Sequence, residues 1–217
     1  DKRVVKQMRT GRTDKDIMFD DFVTDAISVL DYLKKTNKFN YIYIIGHSQG
    51  SLVGILAASH GADGFVSIAG AAQPIDNIII EQIEKTYPIF TTDAKRVLST
   101  LRKGKQTSDY PAELGAIFNK DIQGFMMNWM QYNPADEIKK LKMPILILQG
   151  NKDLQVEIKE AQHLSQAVPE AKLVIIDKMN HILVSIDGDN LENSKSYNEP
   201  MRKISSLLID ELINFIK

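Results

Sequence analysis

Tyr41-Ile42-Tyr43-Ile44-Ile45-Gly46-His47-Ser48-Gln49-Gly50 is an apolar run that breaks at a glycine and leads into the small-residue helical stretch Ser51 to Ser59. A continuous apolar run with β-branched residues reads as a buried strand. Strand, G-x-S-x-G and helix together form the context in which the pentapeptide marks a nucleophile elbow. The serine is expected on a strained turn, so tight that a side chain at either flanking glycine would collide with its neighbours. Such a turn lifts the hydroxyl above the sheet edge, and the helix that follows points free N–H groups at any developing anion.

A serine hydroxyl is a poor nucleophile until a neutral imidazole takes its proton, and a carboxylate must hold that imidazole in the right tautomer. Both partners can be found downstream. Pro144-Ile145-Leu146-Ile147-Leu148 reads as a second buried strand and ends in Gln149-Gly150-Asn151-Lys152-Asp153, a turn that carries a carboxylate. Leu173-Val174-Ile175-Ile176 reads as a third, followed by Asp177-Lys178-Met179-Asn180-His181, a loop that carries an imidazole. In a parallel sheet these turns open on one edge, so Ser48, Asp153 and His181 are expected to converge.

Asp177 and Asp136 are rival acids. Asp177 stands only four residues before His181, poorly placed to reach the far ring nitrogen. Asp136 follows Asn133-Pro134 and reads as a helix N-cap, since Ile138 and Leu141 continue an apolar face. Of the four histidines, His47 lies inside the elbow as a packing residue, His60 closes the helix before Gly61, and His163 is mid-helix. His181 alone follows a strand in a loop. Activity is expected to rise as that imidazole loses its proton.

The 217 residues, 43% of them hydrophobic, suit one α/β domain with a sizeable core. With 27 basic against 28 acidic residues the net charge is -1, so no global field points to nucleic acid or to a membrane surface. The absence of cysteine excludes disulfides and thiolate metal sites and leaves the compartment open. No apolar stretch is long enough to span a membrane.

Residues 1–16 are basic and rich in turn formers, with Lys2, Arg3, Lys6, Arg9, Arg12 and Lys15; they read as a solvated loop. Phe22, Val23, Ala26, Ile27, Leu30 and Leu33 mark one face of a helix from Asp20 to Lys35, and Phe65-Val66-Ser67-Ile68 is a further strand. Strand–helix alternation then stops. The segment 73–132 is helical in pattern and predicts a cap inserted into a core made of 1–72 and 133–217. Phe125, Met126, Trp129 and Met130 lie there on adjacent helical faces, some expected against the sheet and some lining a substrate pocket. Glu157 to Ala167 and Ile204 to Ile216 predict two closing helices, and the polar run Asp187 to Pro200 between them a surface loop.

The Gly46–Gly50 elbow, the Gly150…Asp153…Val156 turn and the Asn180-His181 loop together resemble the α/β-hydrolase superfamily, whose chain order is Ser…Asp…His. They are most similar to bacterial serine hydrolases of the serine aminopeptidase and lysophospholipase-like type. Asp1-Lys2-Arg3 resembles the Asp-x-Arg-Gly-x-Gly segment of these proteins, with Val4 and Lys6 in place of the glycines. The resemblance implies an α/β-hydrolase fold, a mostly parallel sheet flanked by helices with a helical cap. It further implies hydrolysis of a small-molecule ester, a thioester or a small amide through an acyl-enzyme on Ser48, with the Gln49 N–H as an oxyanion donor and no metal or organic cofactor. In the superfamily several strands precede the segment matching Asp1, and a loop among them supplies the second oxyanion donor. The expectation is therefore that an N-terminal segment of the same protein, disordered, cleaved or present as a separate chain, completes the sheet. The same three side chains also serve peptidases, for which Glu113, Asp109 or Asp121 could hold a substrate ammonium, and acyltransferases or thioesterases. The remaining alternative is a non-catalytic binding module on the same fold.

Overall fold

The computed structural model describes Arg3, Arg9 and residues 17–217. The other residues of the basic stretch, with the Asp1-Lys2 part of the family-like segment, lie outside the described residues. Arg3 and Arg9 are themselves helical, where the composition predicted a loop; arginine is a good helix former. In chain order the elements begin α1 (Phe19–Lys35), β1 (Tyr43–His47), α2 (Gln49–Ala58), β2 (Gly64–Ile68), α3 (Ile75–Thr86), α4 (Thr91–Arg102), α5 (Gly115–Phe118) and α6 (Lys120–Trp129). They continue α7 (Pro134–Ile138), β3 (Ile145–Gly150), α8 (Ile158–Ala167), β4 (Lys172–Ile176), α9 (Asn190–Ser196) and α10 (Ser206–Ile216). The chain forms two compact units, one of Val23–Gln73 with Asn133–Lys217 and one of Asp1–Phe22 with Pro74–Tyr132.

The first unit holds a four-stranded parallel sheet in the order β1-β2-β3-β4. β2 and β3 are buried throughout, the pattern of central strands covered on both faces. One face carries Phe65, Ile145 and Ile147, packed with Leu30, Ile55, Ile138 and Leu164 from the helices. The opposite face carries Val66, Ile68, Leu146 and Leu148 against Leu208, Leu212 and Phe215 of α10. Each such aliphatic side chain contributes about 1.5–3 kcal/mol on burial. The small residues of α2 let it lie close on the sheet: a Cβ on Gly54 would stand 2.8 Å from the Phe65 ring. β1 is an edge strand among the described residues, and Ile45 on it is 47% exposed.

Two tethers fasten the loop after β2. Buried Glu160 of α8 accepts the Ala72 and Gln73 N–H groups on one oxygen, at 2.8 and 3.1 Å, and the Gln73 amide on the other at 2.9 Å. The Ala72 carbonyl accepts the Ala135 N–H at 3.0 Å. The polar run after β4, expected as a surface loop, contains α9 with Asn193 and Ser196 buried. Its inward side chains are polar and bond one another, so it shows no apolar periodicity.

The second unit is helical between Pro74 and Tyr132, around Ile79, Ile83, Val97, Leu98, Leu101, Leu114 and Phe118. Buried Asp76 receives both Nε and Nη2 of Arg102, at 2.5 and 2.6 Å, a bidentate tie between α3 and α4. Among the described residues no helix is long and apolar enough to cross a membrane.

Candidate active site

β1 ends at His47 and α2 begins at Gln49, which leaves Ser48 alone to make the turn. It does so at φ 56°, ψ -125°, a conformation costing about 1–3 kcal/mol for a residue with a side chain. The Ser48 N–H donates to the Ile68 carbonyl at 2.9 Å, and the Ser48 carbonyl accepts from the Ser51 N–H at 2.9 Å. Gly46 is obligatory, since a Cβ there would overlap the Gly50 carbonyl and stand 2.7 Å from the Ser51 Cα. Gly50 corrects the expectation from sequence: a Cβ there meets nothing within 4 Å, because its α-carbon, in the first turn of the helix, faces open space. The Gln49 N–H lies in the first turn of α2, where N–H groups have no intrahelical carbonyl.

The carboxylate sits in the turn after β3. Asp153 Oδ1 accepts the N–H groups of Gln155 at 2.8 Å and Val156 at 2.9 Å. Its Oδ2 lies 2.9 Å from His181 Nδ1 and accepts the Gln149 amide at 3.1 Å. Burial pushes this carboxyl up, but the hydrogen bonds from His181, Val156 and Gln155 outweigh it and hold Asp153 below the usual carboxylate range. Buried His181 then presents Nε2 to Ser48 Oγ at 3.1 Å. With Asp153 ionised, Nδ1 carries the proton and Nε2 accepts from the hydroxyl. The structure thus brings Ser48, His181 and Asp153 into one hydrogen-bonded chain, an arrangement that can make a hydroxyl nucleophilic.

The rival acids stand apart. Asp177 accepts the Asn151 amide at 2.8 Å, and Asp136 pairs with Lys139 at 2.9 Å. The cap of α7 is Asn133 rather than Asp136, its side chain accepting the Ala135 N–H. Met126 and Met130 are buried in the core of the helical unit, a correction to both the sheet-facing and the substrate-facing expectation. Phe125 and Trp129 pack with Phe19, Trp129 stacked at 5.6 Å between ring centroids. Asp109 is taken by Arg96. Among the described residues no cluster of three or more His, Asp or Glu is placed to hold a metal ion.

Two supporting residues escaped the sequence reading. His47 Nε2 donates to the His181 carbonyl at 2.8 Å, with the two rings 5.0 Å apart. Its place beside the serine was the available signal. Gln149, wholly buried, also donates to the Val156 carbonyl at 3.0 Å and so braces the acid turn from beneath. The signal there was a polar residue closing an apolar strand.

Comparison with known proteins gives the family and the fold. The family model described as Serine aminopeptidase, S33 matches residues 10–187. The chain belongs to that family. Esterase EstD of Thermotoga maritima is 27% identical over 173 residues, 76% of this chain. The chain spans about two fifths of EstD, 41% of its length. Among solved structures, Est1E from Butyrivibrio proteoclasticus matches with a TM-score of 0.52 and 19% identity, over 86% of this chain and 70% of Est1E. A structure reported with carboxylesterases of Nitrososphaera gargenis matches at 0.53 and 13%, over 94% and 74%. The fold is that of the α/β-hydrolases, a parallel sheet flanked by helices.

In this serine aminopeptidase family member the strained backbone gathers at one rim. Four of the positive-φ residues other than glycine, Ser48, Ala69, Lys178 and Leu183, follow the C-terminal ends of β1, β2 and β4. That is the edge of a parallel sheet where ligands bind, and strain of this kind concentrates at functional sites.

Proposed function

We propose that the protein is a serine hydrolase that cleaves carboxylic esters through an acyl-enzyme on Ser48. The observation that carries this reading is the hydrogen-bond chain from Ser48 Oγ through His181 to Asp153, at 3.1 and 2.9 Å. Ser48 Oγ attacks the ester carbonyl while His181 Nε2 takes its proton, and Asp153 stabilises the imidazolium. The oxyanion draws on the Gln49 N–H and the first turn of α2. Collapse passes the His181 proton to the leaving alkoxide, and the ester oxygen departs as an alcohol. Water then attacks the acyl carbonyl, its proton going to His181, and the acid is released as Ser48 recovers its own. The similarity to Esterase EstD supports an ester as substrate.

A fluorophosphonate probe tests the assignment on the full-length protein. Wild type is expected to be labelled at Ser48, and Ser48→Ala to lose labelling while staying folded. Labelling that persists in Ser48→Ala excludes this nucleophile. A panel of p-nitrophenyl esters against aminoacyl-anilides separates esterase from peptidase action, with the esters expected to react faster.

We infer also that the open edge of β1 pairs with a strand from elsewhere in the same protein, which would bring a second oxyanion donor to the rim. The exposure of Ile45 on an edge that has no partner strand among the described residues supports this. One such donor is worth roughly a 100- to 1000-fold rate. Slow hydrogen exchange of the β1 amides that face away from β2, in the full-length protein, is the expected result; fast exchange there refutes it.

A further inference from the structure

Lys152 directly precedes Asp153, and Asn180 directly precedes His181. A single buried side chain joins them. Asn193 of α9 donates its amide to the Lys152 carbonyl at 2.6 Å and accepts the Asn180 amide on Oδ1 at 2.9 Å. The Asn180 amide also reaches Ser196 Oγ at 2.9 Å, and that hydroxyl donates to the Asn193 carbonyl at 2.6 Å. Asn180 Oδ1 accepts the Val184 N–H at 3.0 Å, closing the turn in which His181 sits. Asn180, Asn193 and Ser196 are each at most 1% exposed.

We propose that Asn193 is a positioning residue that holds the Asp153 turn and the His181 loop in register. The claim rests on the serine hydrolase reading above and deepens it. The acid and base ride on loops from different strands, and each needs its partner within a few tenths of an ångström. A planar amide with one donor and one acceptor in use spans the two loops at fixed length. Burial keeps water from substituting for either bond, so the bridge is stiff. Neither end of it touches the reacting atoms. Asn193 acts through the residues that do.

Asn193→Ala, Asn193→Ser and Arg202→Gln are compared with wild type in the full-length protein. Serine admits a water that satisfies the freed polar groups, so the second variant keeps the fold while losing the rigid bridge. Arg202→Gln removes ion pairs with Glu192 and Glu199, and so loosens the segment that carries α9 without touching the amide bridge. The first readout is the low-field proton resonance of His181 Nδ1–H against Asp153; the second is kcat and KM on a p-nitrophenyl ester. Both Asn193 variants are expected to broaden or lose the resonance and to lower kcat about 10- to 100-fold, with KM within about twofold. Arg202→Gln is expected to change neither. An unaltered resonance in both Asn193 variants, or an equal effect of Arg202→Gln, overturns the proposal. The resonance reads positioning without turnover, so a wild type that shows it but cleaves no ester sinks only the catalytic reading.

Discussion

A methyl group on Gly46 would overlap the carbonyl oxygen of Gly50, so the backbone in the first turn of α2 rests directly on the end of β1. The two glycines of the pentapeptide are therefore not equivalent. Gly46→Ala must push main chain apart and is expected to cost about 3 kcal/mol. Gly50→Ala meets open space in a helical residue and is expected to be neutral or to stabilise by up to about 1 kcal/mol. Urea unfolding of the two variants checks the contrast; equal losses would count against it.

On the proposed function, Ser48 carries its strain for chemistry rather than for the fold. Ser48→Gly relieves about 1–3 kcal/mol of backbone strain and loses about 0.5–1 kcal/mol to the flexibility of glycine. The expected outcome is a gain of about 1 kcal/mol, or roughly 2–4 °C in Tm, in a protein without esterase activity. Calorimetry beside an ester assay measures both, and a lower Tm would contradict the reading.

Asp153 sets an acid limit on stability. Its folded pKa lies below the unfolded value, so the unfolded chain takes up the proton first as pH falls. Its contribution is complete above about pH 4 and is lost as pH drops through the lowered folded value. Asp153→Asn should flatten that part of the stability curve and reduce kcat by about 10⁴-fold through the wrong His181 tautomer. An unchanged acid slope in denaturation curves would show that the carboxylate is not held as described.

His47 acts at higher pH. Although the residue as a whole is exposed, packing strips water from its ring and lowers its pKa, against the hydrogen bond to the His181 carbonyl, which raises it. The charge of His181 lowers it further, and that of Asp153 raises it. The unfolded chain therefore binds the proton first, and stability falls as pH drops from about 6.5 through the folded value. His47→Gln keeps a donor but cannot titrate, and its Tm is expected to vary less than that of wild type over this range. Parallel curves for the two proteins would reject the mechanism.

The strands and the three converging side chains were legible because both follow simple local rules. β3 and its turn show a continuous apolar run followed by a polar break, and the same holds for β4 and His181. The bridge through Asn193 was not legible: its residues satisfy each other instead of showing an apolar period, and α9 therefore looked like a solvated loop. Met126 and Met130 misled for the opposite reason. Apolar spacing marks a buried face without saying what covers it, and here the cover is the helical unit's own core. Gly50 shows that a motif glycine need not be sterically required at every position.

The Ala72–Ala135 hydrogen bond has a consequence for modularity. The points where the chain leaves and re-enters the sheet unit are joined at 3.0 Å, and Glu160 clamps the departing strand of backbone beside them. Loop-closure entropy grows only slowly with loop length. The closure term for a linker or insert of another length at this doorway is therefore small, and the larger penalty of exchanging residues 74–132 falls on Phe19, whose ring partners Phe125 and Trp129 lie within the exchanged segment.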